Sequence, residues 1–114
     1  MKSLLVVAAF LFLAACQRSD VKVLIGATAL VAPGAQPIED SVIVIERGRI
    51  RSVGMRRDVP IPQDSERTDL TGKWVRPADG ARIAVGERAD ILVLDHPGDS
   101  TATASRHLVD DRWR

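Results

Sequence analysis

Tyrosine is absent from this sequence, and the four aromatic residues are unevenly placed. Phe10 and Phe12 lie in the first fifteen residues, which leaves Trp74 and Trp113 for everything that follows. A core built without aromatic rings has to be aliphatic, here Val, Ile, Leu and Ala. There is one cysteine, Cys16, so no disulfide can form within the chain and no Cys-rich zinc site can be assembled. Charge of one sign is also missing. Once Lys2 is set aside, basic and acidic residues are equal in number at 15 each. A neutral chain has no electrostatic footprint for nucleic acid, and none is expected as a partner. The longest apolar run, Leu4 to Leu13, is too short for a helix crossing a bilayer core, which takes roughly twenty residues.

That run is nonetheless informative. Met1-Lys2-Ser3 supplies a short positive start, Leu4 to Leu13 an apolar centre, and Ala14-Ala15 a small-residue cleavage site before Cys16. This is the pattern of a secretory signal over residues 1–15, expected to be helical. Leu13-Ala14-Ala15-Cys16 resembles the lipobox of bacterial lipoproteins. The resemblance implies diacylglycerol on the Cys16 thiol and cleavage just before it, with residues 16–20 as a short lipidated tether. Two or three acyl chains meet the requirement for stable anchoring, so membrane lipid is the partner expected through Cys16. Gln17, where inner-membrane lipoproteins carry Asp, implies the outer membrane facing the periplasm. The plainer alternative is an ordinary signal or uncleaved anchor with an incidental cysteine.

The rest, residues 21–114, is one small domain in length. Val21 to Ile25 reads as a strand, with Ala29 to Val31 continuing it after a turn or bulge at Gly26. Ser41 to Glu46 is a β-branched run without polar alternation, which suits a strand covered on both faces. Arg47-Gly48 then separates it from Arg49 to Gly54, a two-residue hairpin signal. Pro60 and Pro62 mark a connector. Glu66 to Leu70, Thr71 to Val75, Ala89 to Asp95 and His107 to Val109 complete the strands, the last opening a closing hairpin. No window past the signal keeps a helical period. The expected fold is all-β, a small β-sandwich or pseudo-barrel of about six to eight short strands.

Two stretches carry a family resemblance. Ile38 to Gly54, with its strand, Gly48-Arg49-Ile50 turn and closing Val53-Gly54, resembles the opening of metal-dependent amidohydrolases. Asp69 to Pro77 is similar to the family's next element, which runs into the first barrel strand. Gly86-Glu87-Arg88-Ala89-Asp90 with the apolar strand to Asp95 resembles the segment beyond the barrel, and His107 to Arg114 its final strand pair. The resemblance implies a composite β-domain normally found beside a metal-bearing (β/α)₈ barrel. That barrel takes on the order of 250 residues, yet fewer than a dozen separate Pro77 from Gly86. Where the family has His-x-His, this chain has Ala78-Asp79-Gly80-Ala81-Arg82. No family metal ligand has a position to map onto.

Residues able to support other chemistry are few. His96 and His107, with Asp95 and Asp99, could form a metal site if their strands were neighbours; two surface histidines are the plainer expectation. The serines Ser41, Ser52, Ser65, Ser100 and Ser105 lack a nucleophile elbow. Asp90 is expected to cap a turn at the start of its strand. The arginines between Arg47 and Arg57 could meet anionic lipid or a polyanion, but Glu39, Asp40, Glu46 and Asp58 lie among them, as on a solvated strand face. Lys73 and Trp74 stand where, by the resemblance, family members meet their barrel, and the face that includes Trp74 and Val75 is the candidate interface, with a second copy or a separately encoded barrel protein as partner. No catalytic residue, metal or cofactor is expected. The sequence thus points to an envelope lipoprotein with a barrel-less, non-catalytic amidohydrolase-like domain serving as an interaction or structural module. The alternatives are an accessory half of a split hydrolase acting on C–N bonds, or a degenerate fragment of such an enzyme.

Overall fold

The computed structural model describes residues 20–98 and 104–114; the signal, Cys16 and Asp99 lie outside the described residues. Those residues form nine strands and no helix. In chain order they are β1 (Val21–Ile25), β2 (Thr28–Ala29), β3 (Ser41–Glu46), β4 (Arg49–Met55), β5 (Glu66–Asp69), β6 (Trp74–Pro77), β7 (Asp90–Leu94), β8 (Arg106–Val109) and β9 (Arg112–Trp113). The count exceeds the six to eight expected because β2 and β9 are two-residue strands, too short to leave an alternating pattern in sequence. The strands make two mixed sheets, ordered β4-β3-β1-β5 and β2-β6-β7-β8-β9.

Alternation along the strands builds the core. Leu24 of β1 and Ile43 and Ile45 of β3 face Val75 of β6, Ile91 and Val93 of β7 and Leu108 of β8 in a single aliphatic cluster between the sheets. The opposite face of the first sheet is covered as well. Val23, Val42 and Val44 pack there against Val59 and Ile61, which the proline-bearing connector after β4 lays across the sheet. β3 is therefore buried on both sides, as its unbroken β-branched run predicts.

One irregularity decides what β4 contributes. The β3–β4 register slips between Val44 and Ile45, so Arg51 is the extra residue of a bulge. In a regular strand Ile50 and Val53, three apart, would point to opposite faces. The bulge turns both toward the central cluster. Arg51 itself stays outside and donates to Glu46 at 3.0 Å.

The two sheets are joined by paired corners. β1 leaves the first sheet at Gly26 and returns as β2 in the second, while β5 passes through Leu70 to Lys73 and returns as β6. These segments run parallel, tied by Leu70 N to Ile25 O (2.7 Å), Thr28 N to Lys73 O (3.0 Å) and Leu30 N to Val75 O (2.8 Å). The sequence expectation that Ala29 simply continues β1 is thus corrected, because the corner sends it to a different sheet. Gly26 has φ +93°, and a Cβ there would lie 2.5 Å from Thr71 Oγ1. Ser41, fully buried beside the corner, donates its hydroxyl to Ala27 O at 2.6 Å.

Two substitutions test this construction. Gly26→Ala combines a positive φ with a steric clash and is expected to cost about 2 kcal/mol. Ile91→Ala, emptying the centre of the cluster, is expected to cost about 2–5 kcal/mol. Urea unfolding should show lower midpoints with an unchanged slope; a midpoint unaltered by either change contradicts the packing described.

Candidate functional site

The strongest long-range feature is a backbone seam at one pole of the fold. Arg47 and Gly48, both with positive φ (52° and 79°), make the tight β3–β4 turn that the sequence signals. That turn is stitched to the segment leading into β7. Gly86 N donates to Ile50 O, Ile50 N to Glu87 O and Ala89 N to Gly48 O, each at 2.8 Å, and Asp110 N donates to Ala89 O at 2.6 Å. The two stretches singled out by family resemblance therefore touch directly, although some forty residues of chain separate them.

Charged side chains gather around the seam. Asp20, Arg47, Arg49, Arg88, Asp110 and Asp111 line an open cleft of about 480 Å³. Arg88 grips Asp110 through two nitrogens, Nε and Nη2. Its hydrogen bond, reinforced by the charges of Arg88, Arg114 and Arg49, holds the Asp110 carboxyl below the usual carboxylate range. The same bond raises Arg88 above its own ordinary value. Arg49 donates from Nη1 to Gly86 O at 3.2 Å, and Arg47 stands 3.8 Å from Asp20. Sequence reading found the arginines of β4 but not Arg88, Asp20, Asp110 and Asp111, which come from three other segments and meet only in the fold.

The histidines do not come together. His107 lies opposite Leu92 in the β7–β8 pairing, whereas His96 follows β7 beyond Leu94. His107 is half-buried rather than a plain surface residue. Its Nε2 lies 2.5 Å from an oxygen of Asp90, a diagonal neighbour on the same sheet face. Asp90 is therefore engaged across the sheet, not as the local turn cap expected of it. The turn-capping carboxylate is Asp69, which accepts from Thr71 N at 3.0 Å and from the Thr71 hydroxyl at 2.6 Å. Those bonds lower the Asp69 pKa. Asp95, imagined beside His107, is instead paired with Lys73, whose hydrogen bond lowers its pKa. Among the described residues no group of three or more His, Cys, Asp or Glu is placed to hold a metal ion.

The candidate interface needs correction. Trp74 and Val75 are adjacent in β6 and so point to opposite faces. Val75 is fully buried in the central cluster and presents nothing to a partner. Trp74 is half-buried on the outer face, opposite Leu94. Among the described residues the exposed large apolar side chains are Met55 and Val85.

The cleft makes a titration prediction. A carboxyl depressed in the folded state stabilises the fold above its unfolded pKa, and that contribution disappears as pH falls through the folded value. Arg88→Gln removes the main cause of the Asp110 depression. Carbon-detected NMR titration should show Asp110 ionising at higher pH in the variant, with acid unfolding less dependent on that group. An unmoved Asp110 titration contradicts the pairing.

No family model matches the sequence, and no curated protein matches it. Part of the chain is similar to several solved structures. Molinate hydrolase is 26% identical, with a TM-score of 0.47, over 54% of this chain and 13% of that one. A prolidase-type structure from Bifidobacterium longum is 26% identical, with a TM-score of 0.48, over 54% and 16%. A prolidase in complex with N-methylphosphonate-L-proline is 31% identical, with a TM-score of 0.44, over 51% and 14%. The chain thus spans between 13% and 16% of the length of these three, and likeness at this level assigns it no activity.

Proposed function

We propose that this chain is a lipid-anchored envelope protein whose folded part is an amidohydrolase-type composite β-domain lacking its barrel, and that it acts as a binding or structural module rather than as an enzyme. One observation carries the reading. The Arg47–Ile50 turn and the Gly86–Ala89 segment are hydrogen-bonded into one unit, as expected of two pieces that the family resemblance assigns to a single domain around an inserted barrel. The place of that insertion is closed here. β6 and β7 pair directly from Trp74↔Leu94 to Pro77↔Ile91. Between them the connector is fastened by Ala78 N to Asp90 O at 3.0 Å and Ala81 N to Ala78 O at 2.9 Å. Ile83, on the same connector, is buried in the central cluster. A connector fastened in this way supports the reading of a domain without an inserted barrel.

The side chains support the non-catalytic part. Asp90 holds His107 while Lys73 holds Asp95 near the opposite end of β7, so the carboxylates that could join a histidine are engaged apart from one another. Anchoring rests on the sequence of residues 13–16 and the chemistry of a thiol at that spacing.

Expression of the full chain in a Gram-negative host with an alkyne-tagged fatty acid tests the anchor. Label should appear on the protein and sediment with outer membranes, and Cys16→Ser should abolish both. Label retained in Cys16→Ser, or a soluble unlabelled parent, rejects it. For the second half, the purified protein is expected to carry less than about a tenth of a metal equivalent, since structural or catalytic zinc sites hold a full ion. Stoichiometric zinc with amide-bond turnover, or copurification with a metal-bearing barrel protein, overturns the non-enzyme reading.

A further inference from the structure

We infer that the charged pole around the seam is a membrane-docking face, with Arg47 and Arg49 contacting phosphate groups of the anionic lipid surface to which the chain is tethered. The inference rests on the anchored reading of Cys16 and adds an orientation to it. Cys16 and Asp20 are four residues apart, a span of at most about 14 Å even when fully extended. Asp20 lines the cleft itself. The Asp20 backbone is therefore held within that distance of the Cys16 backbone, and Arg47, 3.8 Å from the Asp20 carboxylate, lies beside it. The other end of the first sheet is much farther away. β4 runs seven residues from Arg49 at the pole to Met55, roughly 20 Å at the rise of an extended strand.

Three arginines and three aspartates line the near pole, and their pairing leaves the Arg47 and Arg49 guanidiniums open to phosphate, with Asp111 exposed to solvent in the same cleft. Asp110 is taken up by the two-nitrogen grip of Arg88, which neutralises both. Arg47 and Asp20 are loosely paired at 3.8 Å, with side chains 79% and 68% exposed, so lipid phosphate can compete for that guanidinium. Arg49 is exposed and uses Nη1 on a backbone carbonyl, which orients the fork without cancelling its charge. Arginine presents planar, multiple donors matched to phosphate oxygens. The positive φ of Arg47 and the seam behind it hold both side chains on a rigid turn rather than on a mobile loop.

The test uses the full chain, lipidated in the cell and reconstituted into vesicles of phosphatidylcholine with or without phosphatidylglycerol, with a quencher on the lipid headgroup. Because lipidation blocks Cys16, an introduced cysteine is the one free thiol for a fluorophore. Asp111→Cys reports the near pole and Asp58→Cys the turn after β4, each losing one aspartate. With phosphatidylglycerol present, quenching at position 111 should exceed that at 58. The double variant Arg47→Glu/Arg49→Glu should shift the bound orientation by at least about fivefold per arginine, the effect of losing one positive charge, with the added negative charge increasing it. Arg57→Glu, at the far end, should change nothing. Raising salt should weaken the effect as the screening length falls from about 10 Å to about 3 Å. Equal quenching at 111 and 58, or indifference to the double reversal, overturns the docking face while leaving the anchor intact. Mass spectrometry of the same sample separates the other failure: an unacylated chain that stays out of vesicles removes the anchor and the docking face together.

Discussion

Four backbone hydrogen bonds between the Arg47–Ile50 turn, the Gly86–Ala89 segment and Asp110 fix how the two sheets are set against each other at one pole. The first sheet is made almost wholly from residues before 70 and the second mostly from residues after it. Apolar burial between the sheets supplies most of the favourable free energy, but it is non-directional and would tolerate sliding. The seam removes that freedom. It clamps one edge of the sandwich, sets where β7 begins, and so sets which of Asp90 to Leu94 face inward. At the opposite pole the stacked corners at Gly26 and Leu70 perform the same task.

That clamp also explains why charge collects where it does. The turn residues at 47–49, the segment at 86–89 and the Asp110–Asp111 turn converge because their backbones are bonded, and their side chains are left to face water together. Arg88 and Asp110 satisfy each other, while Arg47 and Arg49 remain exposed. A sequence with nearly balanced charge can thus still gather its charged side chains at one pole, since net charge says nothing about placement.

The same geometry closes the connector between β6 and β7. Between β6 and β7 the chain does not trail off or gape; Ile83 dips into the core and both flanks of the connector are bonded. His96 follows the end of β7 while His107 lies in β8, and His107 takes the partner that the strand register offers it, Asp90. Fold likeness alone supplies no site.

Local chemistry was enough to read much of this protein from its sequence. The β-branched run from Ser41 to Glu46 reads as a doubly covered strand, Arg47-Gly48 as a tight turn, and the proline pairs as connectors, because each depends on the residues themselves and their immediate neighbours. What the string could not reveal was register and side. That Val75 points inward and Trp74 outward, that a bulge at Arg51 turns Ile50 and Val53 to one face, that Asp90 meets His107, and that β1 changes sheets at Gly26 were all decided by pairing across the fold. A strand's period of two makes each of these a binary choice, and only long-range hydrogen bonding and the shared core select between the two.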